Sequence, residues 1–405
     1  MERLIFHIDV NSAFLSWESA RRVKQGLQDL RDIPACIGGD PKKRTGIVVA
    51  KSIPAKKYGI QTGEPMAMAI RKCPELVIVK SDFELYIKCS RAFKEICASY
   101  APVMESFSID EVFLDMTGTS LIYPDPIQTA HEIKDKIKNE LGFTVNVGIS
   151  TNKLLAKMAS DFKKPDLVHT LYAKEIQTKM WPLPVSSLLM CGRSSQETLR
   201  KLGISTIGDL ARCDKQLLAA HLKSHGILLW EYANGIDSSV VEPNPAQAKG
   251  IGNSTTMPTD ALSIEDMKPV LLKLCESVCA RLRKAHMYAG TITVEIKYSN
   301  FHSCSHQIAL PSPDYSSTVI YETSLSLLQE LWNGTPVRLL GVRATRLTDE
   351  TAPIQLDLFS YQEHTGQTEK NRKLDKTIDA IRRKYGEGAI MRGSLLSHTD
   401  THSSN

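Results

Sequence analysis

A chain of 405 residues with 42% hydrophobic and 23% charged side chains is long enough for roughly two to four domains and too apolar for a disordered protein. Its formal net charge of +5 permits an acidic partner such as nucleic acid without requiring one. No apolar run approaches the roughly 20 residues of a membrane span, "MERLIFHIDVN" carries no cleavable leader pattern, and the nine cysteines form no C-x-x-C pair, so a cytoplasmic, reduced protein without a zinc site is expected.

The first strand, "LIFHIDV", alternates up to Asp9, and "SAFLSWESARRVKQG" follows at helical spacing with Ser12 as its expected cap. "ACIGG", "TGIVVAK" and "LVIVKSD" have the composition of short strands, whereas Leu85, Cys89, Phe93 and Ile96 recur at helical steps. Next comes "MESFSIDEVFLDMTG", a hairpin by pattern whose middle holds two adjacent carboxylates, Asp110 and Glu111. "PIQTAHEIKDKIKNELG" is an amphipathic helix bounded by Pro126 and Gly142, and "FTVNVGIS" is another strand. This order suits an antiparallel sheet with helices packed on one face, the "ACIGG" region being an insertion. Between 181 and 237 short helical pieces are punctuated by Pro and Gly, as in a helix-hairpin-helix whose turn offers N–H groups to phosphate. "IDSSVVEPNPAQAKG" is a linker by composition, and a second strand and helix series runs from about 250 to about 348. The remainder is polar except for "QLDLF" and the basic helix "KLDKTIDAIRRKYG", which is expected to be a solvated face.

Asp9 ends the first strand, and a hairpin lying beside that strand brings three acids to one edge. Like charges held together share protons or surround a cation, and hard oxygen donors favour Mg²⁺. Two such ions about 3.5 to 4 Å apart suit in-line phosphoryl transfer. The plainer reading stays open: Asp110 and Glu111 cap a tight turn, and Asp9 is a solvated strand end.

"FHIDVNSAF", "PAKKYGI", "SFSIDEVFLD" and "GISTNKLLAKMASDFKKP" stand in an order and spacing that resemble the Y-family DNA polymerases, especially the bacterial DNA polymerase IV branch. The resemblance implies an α+β multidomain right hand. Its parts are a ferredoxin-like palm (1–20 and 79–180), small fingers (21–78), a helix-hairpin-helix thumb (181–237), a linker (238–248), an α+β little finger (249–348) and a polar tail (349–405). It also implies template-directed, low-fidelity translesion synthesis without proofreading, in DNA damage tolerance and repair.

Carried over by position, Asp9, Asp110 and Glu111 are the expected catalytic metal ligands for two Mg²⁺ or Mn²⁺ ions, with the Val10 carbonyl as a further ligand. Phe14 stands where the family has an aromatic steric gate against the 2′ hydroxyl, although core packing explains a lone Phe as well. Lys56 and Lys157 match nucleotide-binding positions, with solvated lysines as the alternative. This chain departs from the usual Tyr-x-x-Arg of the fingers, having Ile53 and Lys56, so isoleucine offers no hydrogen bond and lysine lacks the arginine fork.

Gly192 and Gly203 in the thumb segment, and Lys297, Arg338, Arg343 and Arg346 along a strand face, are expected DNA contacts, plain helix caps being the other reading of the glycines. Gln355, Leu356, Leu358 and Phe359 resemble the peptide that docks bacterial polymerases on the sliding clamp, the DNA polymerase III beta subunit; a hydrophobic latch onto the domain is the rival. Primer-template DNA and deoxynucleoside triphosphates complete the expected partners of a monomeric, nucleoid-associated bacterial protein. A non-catalytic relative that binds DNA and clamp is the alternative function, disfavoured because an adaptor needs no clustered acids. A nucleotide cyclase is disfavoured too, since the Gly-Gly-Asp of "IGGDPKKR" precedes a basic turn.

Overall fold

The computed structural model describes residues 2–40, 44, 46–244, 247–351, 361–386 and 388–393, with the side chains of 361–369 excepted. Its contacts divide the chain into two units, Met1–Pro245 and Ala246–Asn405. In chain order the first unit contains β1 (Ile5–Val10), α1 (Ala13–Lys24), β2 (Ala35–Gly38), β3 (Val48–Lys51), α2 (Ile53–Lys57), α3 (Met66–Lys72), β4 (Val77–Lys80) and α4 (Phe83–Ala98). It continues with β5 (Val103–Ser106), β6 (Glu111–Asp115), α5 (Pro126–Leu141), β7 (Val145–Ser150), α6 (Lys153–Ser160), β8 (Val168–Thr170), α7 (Arg193–Lys201), α8 (Ile207–Arg212) and α9 (Lys215–Ala233).

Alternation along β1 gives the first unit its two-faced sheet, ordered β5-β6-β1-β7-β8, in which β8 alone joins in parallel. Phe6, Ile8 and Val10 are buried with Phe93 and Ile96 of α4 and Ile133 and Ile137 of α5, each large apolar side chain contributing about 1.5–3 kcal/mol. Ile5, His7 and Asp9 take the opposite face, which α6 covers. The expectation of helices on one face is thus corrected. α6 fits there because Gly148 has no side chain: a Cβ would lie 2.0 Å from the Ala156 carbonyl oxygen and 2.4 Å from the Ser160 nitrogen.

Local signals fared unevenly. Pro126 follows the N-cap Asp125 and Gly142 ends α5 at φ 81°, as the punctuation implied. Ser12 is left-handed at φ 49° and makes no side-chain cap, so α1 starts without the expected one. β4 pairs with β2 in a separate β3-β2-β4 sheet, which puts the expected fingers boundary at 78 and 79 inside a strand. Gly192 precedes α7 and Gly203 follows it at φ 75°, both with open space around an added Cβ.

The second unit comprises β9 (Gly250–Ala261), α10 (Ile264–Lys284), β10 (Met287–Tyr298), β11 (Ser303–Asp314), α11 (Ser317–Leu331), β12 (Val337–Asp349) and α12 (Tyr361–Tyr385). Its antiparallel sheet, ordered β11-β10-β12-β9, buries Ile292, Val294 and Ile296 against Leu271, Val278 and Leu328 of the helices. α12 departs from the expected solvated face. It turns Asp375 and Asp379 toward Arg283 of α10, at 3.4 and 2.5 Å, while Arg372 reaches Asp314 at 3.2 Å and Arg382 reaches Glu276 at 3.0 Å. A basic composition concealed an inward-facing ion-pair network. Arg283→Met removes the guanidinium from Asp379 and leaves Asp375 with the Ser317 N–H and Arg392, and it is expected to lower stability of the second unit by about 1–3 kcal/mol, read as a lower urea midpoint. An unchanged midpoint removes the network from the stability of this unit.

Candidate active site

The adjacent acids of the hairpin are placed by its turn. Phe107 and Ser108 donate their N–H groups to the Glu111 carbonyl at 3.1 and 3.2 Å, and Lys94 of α4 donates to the Ser108 carbonyl at 2.6 Å. Val10 donates its N–H to the Asp110 carbonyl at 3.0 Å, so β1 and the turn are stitched together at the acids. Antiparallel register then sets Asp9 directly across from Glu111. Asp110 stands one residue earlier, its carboxylate accepting from Ser108 Oγ at 2.7 Å, which gives it the turn-closing role of the plainer reading as well.

Two ammonium groups sit among the carboxylates. Lys157 of α6 pairs with Glu111 and lies 3.9 Å from Asp9 and 3.3 Å from Asp161; Lys164 pairs with Asp9 and lies 2.9 Å from Asp161. Burial pushes the Asp9 carboxyl up to about 6, against the pull of Lys164 and Lys157, and the Glu111 charge adds to the rise. Burial also works against both lysines, yet the surrounding carboxylates hold their ammonium groups above the usual range. Among the described residues no three His, Cys, Asp or Glu side chains close around a single point. The donor set fits divalent ions in its chemistry: all its donors are hard oxygens, and one cation, the Lys157 ammonium, already stands between Asp9 and Glu111.

Asp9, Val10 and Asp110 open on a cleft of about 590 Å³ that Phe14, Lys56 and Lys164 also line. Phe14 is half-buried on α1, with its ring 4.7 Å from that of Tyr86 and 6.1 Å from that of Phe83. Lys56 is exposed on α2, which is capped by Ser52 accepting from the Ala55 N–H, and Ile53 beside it is 59% exposed at the mouth of the same cleft. Lys157 approaches the acids from α6 and is absent from the cleft lining.

The remaining expected residues divide. Lys297 and Arg343 belong to the open face of the second unit's sheet, where Arg343 lines a shallow groove with Thr293, Glu295 and Ser254. Arg338 falls at a β-bulge, its guanidinium 4.9 Å from the Phe301 ring, and Arg346 takes a left-handed φ of 50° near the end of β12. The four therefore do not share one face. Gln355, Leu356, Leu358 and Phe359 lie outside the described residues.

Three neighbours of the acids escaped the sequence reading. His7 is buried with Nδ1 2.8 Å from Ser160 Oγ and Nε2 3.8 Å from Glu111; burial, then Lys157, keeps it neutral by lowering its pKa well below the ordinary value. Its signal was the alternation that puts His7 and Asp9 on one face. Asp161 follows Lys157 at a helical step of four, a spacing that marks a pair, whereas nothing local marks Lys164 as the partner of Asp9.

Residues 8–161 match the model of the impB/mucB/samB family, and residues 248–358 match that of the impB/mucB/samB family C-terminal domain. The chain is 46% identical to DNA polymerase IV of Clostridium acetobutylicum over 98% of its own length and 99% of that protein. It is 36% identical to DNA polymerase IV 1 of Bacillus subtilis, over 98% and 94%. A solved Y-family DNA polymerase chimera of Dbh and Dpo4 has the same fold, with a TM-score of 0.75 over 85% of this chain and 99% of that one at 22% identity. With two family models matched in order and near-complete coverage of such relatives, the chain belongs to the impB/mucB/samB family of Y-family DNA polymerases.

Proposed function

We propose that this chain is a template-directed translesion DNA polymerase in which Asp9, Asp110 and Glu111, with the Val10 carbonyl, hold two Mg²⁺ ions, Mn²⁺ being accepted by the same oxygens. The observation that carries the reading is the register of Asp9 against Glu111, with Asp9 and Asp110 lining a cleft of about 590 Å³. Such ions supply Lewis acidity to a primer 3′ hydroxyl and charge to a departing pyrophosphate. Phe14 lies under the sugar and excludes a 2′ hydroxyl by shape. Lys56 and Lys157 serve the triphosphate as point charges without the arginine fork, and Ile53 contributes no hydrogen bond.

Primer extension with one deoxynucleotide at a time, on undamaged and abasic templates, tests the reading. Incorporation directed by the template base supports it, and absence of any extension with either Mg²⁺ or Mn²⁺ rejects it. Gly192, Gly203, Lys297 and Arg343 serve the DNA backbone in this scheme, binding that weakens with salt. Arg338 and Arg346 serve it from outside the sheet face that Lys297 and Arg343 share.

The peptide of Gln355, Leu356, Leu358 and Phe359 joins the protein, a monomer, to the sliding clamp through pocket-filling Leu and Phe side chains. Deleting 355–359 is expected to remove clamp stimulation of synthesis while leaving basal extension intact. Equal stimulation of the deletion variant and the full chain would refute the assignment. Cytoplasmic access to the nucleoid goes with this function.

A further inference from the structure

We propose that Asn146 is a positioning residue for the incoming nucleotide, acting through the segment 163–167 that it ties to the strand of the first acid. Its basis is the nucleotide reading of the cleft given above. Asn146 belongs to β7 and stands directly across from Asp9, on the other side of β1 from Glu111. It is fully buried and absent from the cleft lining. A buried amide is costly unless its atoms are paired, so its partners show what it is there to hold.

Asn146 Nδ2 donates to the Ser160 carbonyl at 3.2 Å and to the Lys163 carbonyl at 2.7 Å, where the chain leaves α6. Carbonyls can only accept, which fixes the orientation of the amide. Its oxygen accepts from Asn11 Nδ2 at 3.1 Å and from the Leu167 N–H at 3.4 Å. Asn11, also buried, turns its own oxygen to the Asp166 N–H at 3.0 Å and the Thr144 hydroxyl at 2.9 Å. Between them the two amides grip the backbone at 160, 163, 166 and 167. Asp166 takes a left-handed φ of 63°, a conformation that persists only where neighbours hold it. Lys164 and Pro165, in the middle of this span, form one wall of the cleft. Lys134 and Lys138 hold the Asp166 side chain, and His169 Nε2 donates to the Lys163 carbonyl at 2.9 Å, so loss of Asn146 loosens the wall without unfolding it. The placing of that wall against the acids depends on this amide, and a bound substrate is sensitive to such placing.

The test is single-turnover incorporation by the full chain on a primer-template with Mg²⁺, at varied concentrations of the matching deoxynucleoside triphosphate. Asn146→Val keeps a strand-forming residue and removes both amide functions; Asn146→Ser is the milder change. Asn146→Val is expected to raise the apparent nucleotide Kd about tenfold and Asn146→Ser by less, while the maximal rate stays within about threefold of the wild type. Amide hydrogen exchange should rise in 161–168 and not along β1 or β6. Ile133→Val, on the opposite face of the sheet, lowers the melting temperature through lost packing and should leave the nucleotide Kd unchanged, as a purely structural Asn146 would. An unchanged nucleotide Kd in the folded Asn146 variants, or failure of both to fold, overturns the inference while leaving the polymerase reading in place. Absence of extension by the wild type, by contrast, removes the polymerase reading itself and the inference with it.

Discussion

Asp110→Asn and Glu111→Gln are each expected to abolish measurable primer extension, lowering the rate of incorporation by roughly a thousandfold or more, which corresponds to about 4 kcal/mol of transition-state stabilisation. Both substitutions retain shape, so the loss is assignable to charge. The turn that carries Asp110 is held by backbone bonds into the Glu111 carbonyl and by Lys94, none of which involves either carboxylate. In the Asp110→Asn variant the side-chain amide keeps an oxygen to accept from Ser108. The Glu111→Gln variant leaves Lys157 beside Asp161, 3.3 Å away, so no ammonium is stranded. Unchanged circular dichroism with lost extension is the expected pair of results. Near wild-type extension by either variant sinks the two-ion scheme, because neutralising one ligand of such a cluster removes charge that its geometry exists to supply.

The limits of the sequence reading follow from how each signal is encoded. Alternation in "LIFHIDV" and the two acids of the hairpin suffice to bring Asp9 and Glu111 together, since strand period and register are local properties that pairing only has to align. Helix ends bounded by Pro126 and Gly142 are legible for the same reason. Lys164 was not. Its partner lies 155 residues away, and no periodicity links a loop lysine to a distant strand end. The second face of the sheet was hidden because one glycine, Gly148, admits α6 and a single residue makes no pattern. In α12 the acids and arginines that face α10 share their turns with exposed lysines, so composition described the helix and not its buried side. Arg346 shows a simpler limit: it stands three residues from Arg343, an odd step that the period of two sends to the other side of the strand.

Phe14→Ala is expected to lower the preference for deoxynucleotides over ribonucleotides by roughly a hundredfold, or about 2.7 kcal/mol. The ring is half-buried on the cleft side and packed on the other against Tyr86, Phe83 and Trp17, so truncation both opens space and removes core contacts. These two consequences separate in the measurement. Loss of packing lowers the fraction of active protein and scales kcat/KM for both substrates alike, leaving their ratio unchanged; loss of a steric barrier raises kcat/KM for the ribonucleotide alone. Phe14→Tyr provides the control, since it keeps the ring and should keep the exclusion. Asp9 and Asp110 border the same cleft as the Phe14 ring, which is the arrangement that sugar exclusion by this ring requires. A ratio of kcat/KM values that stays at the wild-type level in Phe14→Ala, alongside a lowered melting temperature, assigns this ring to the core and leaves sugar discrimination to another part of the cleft.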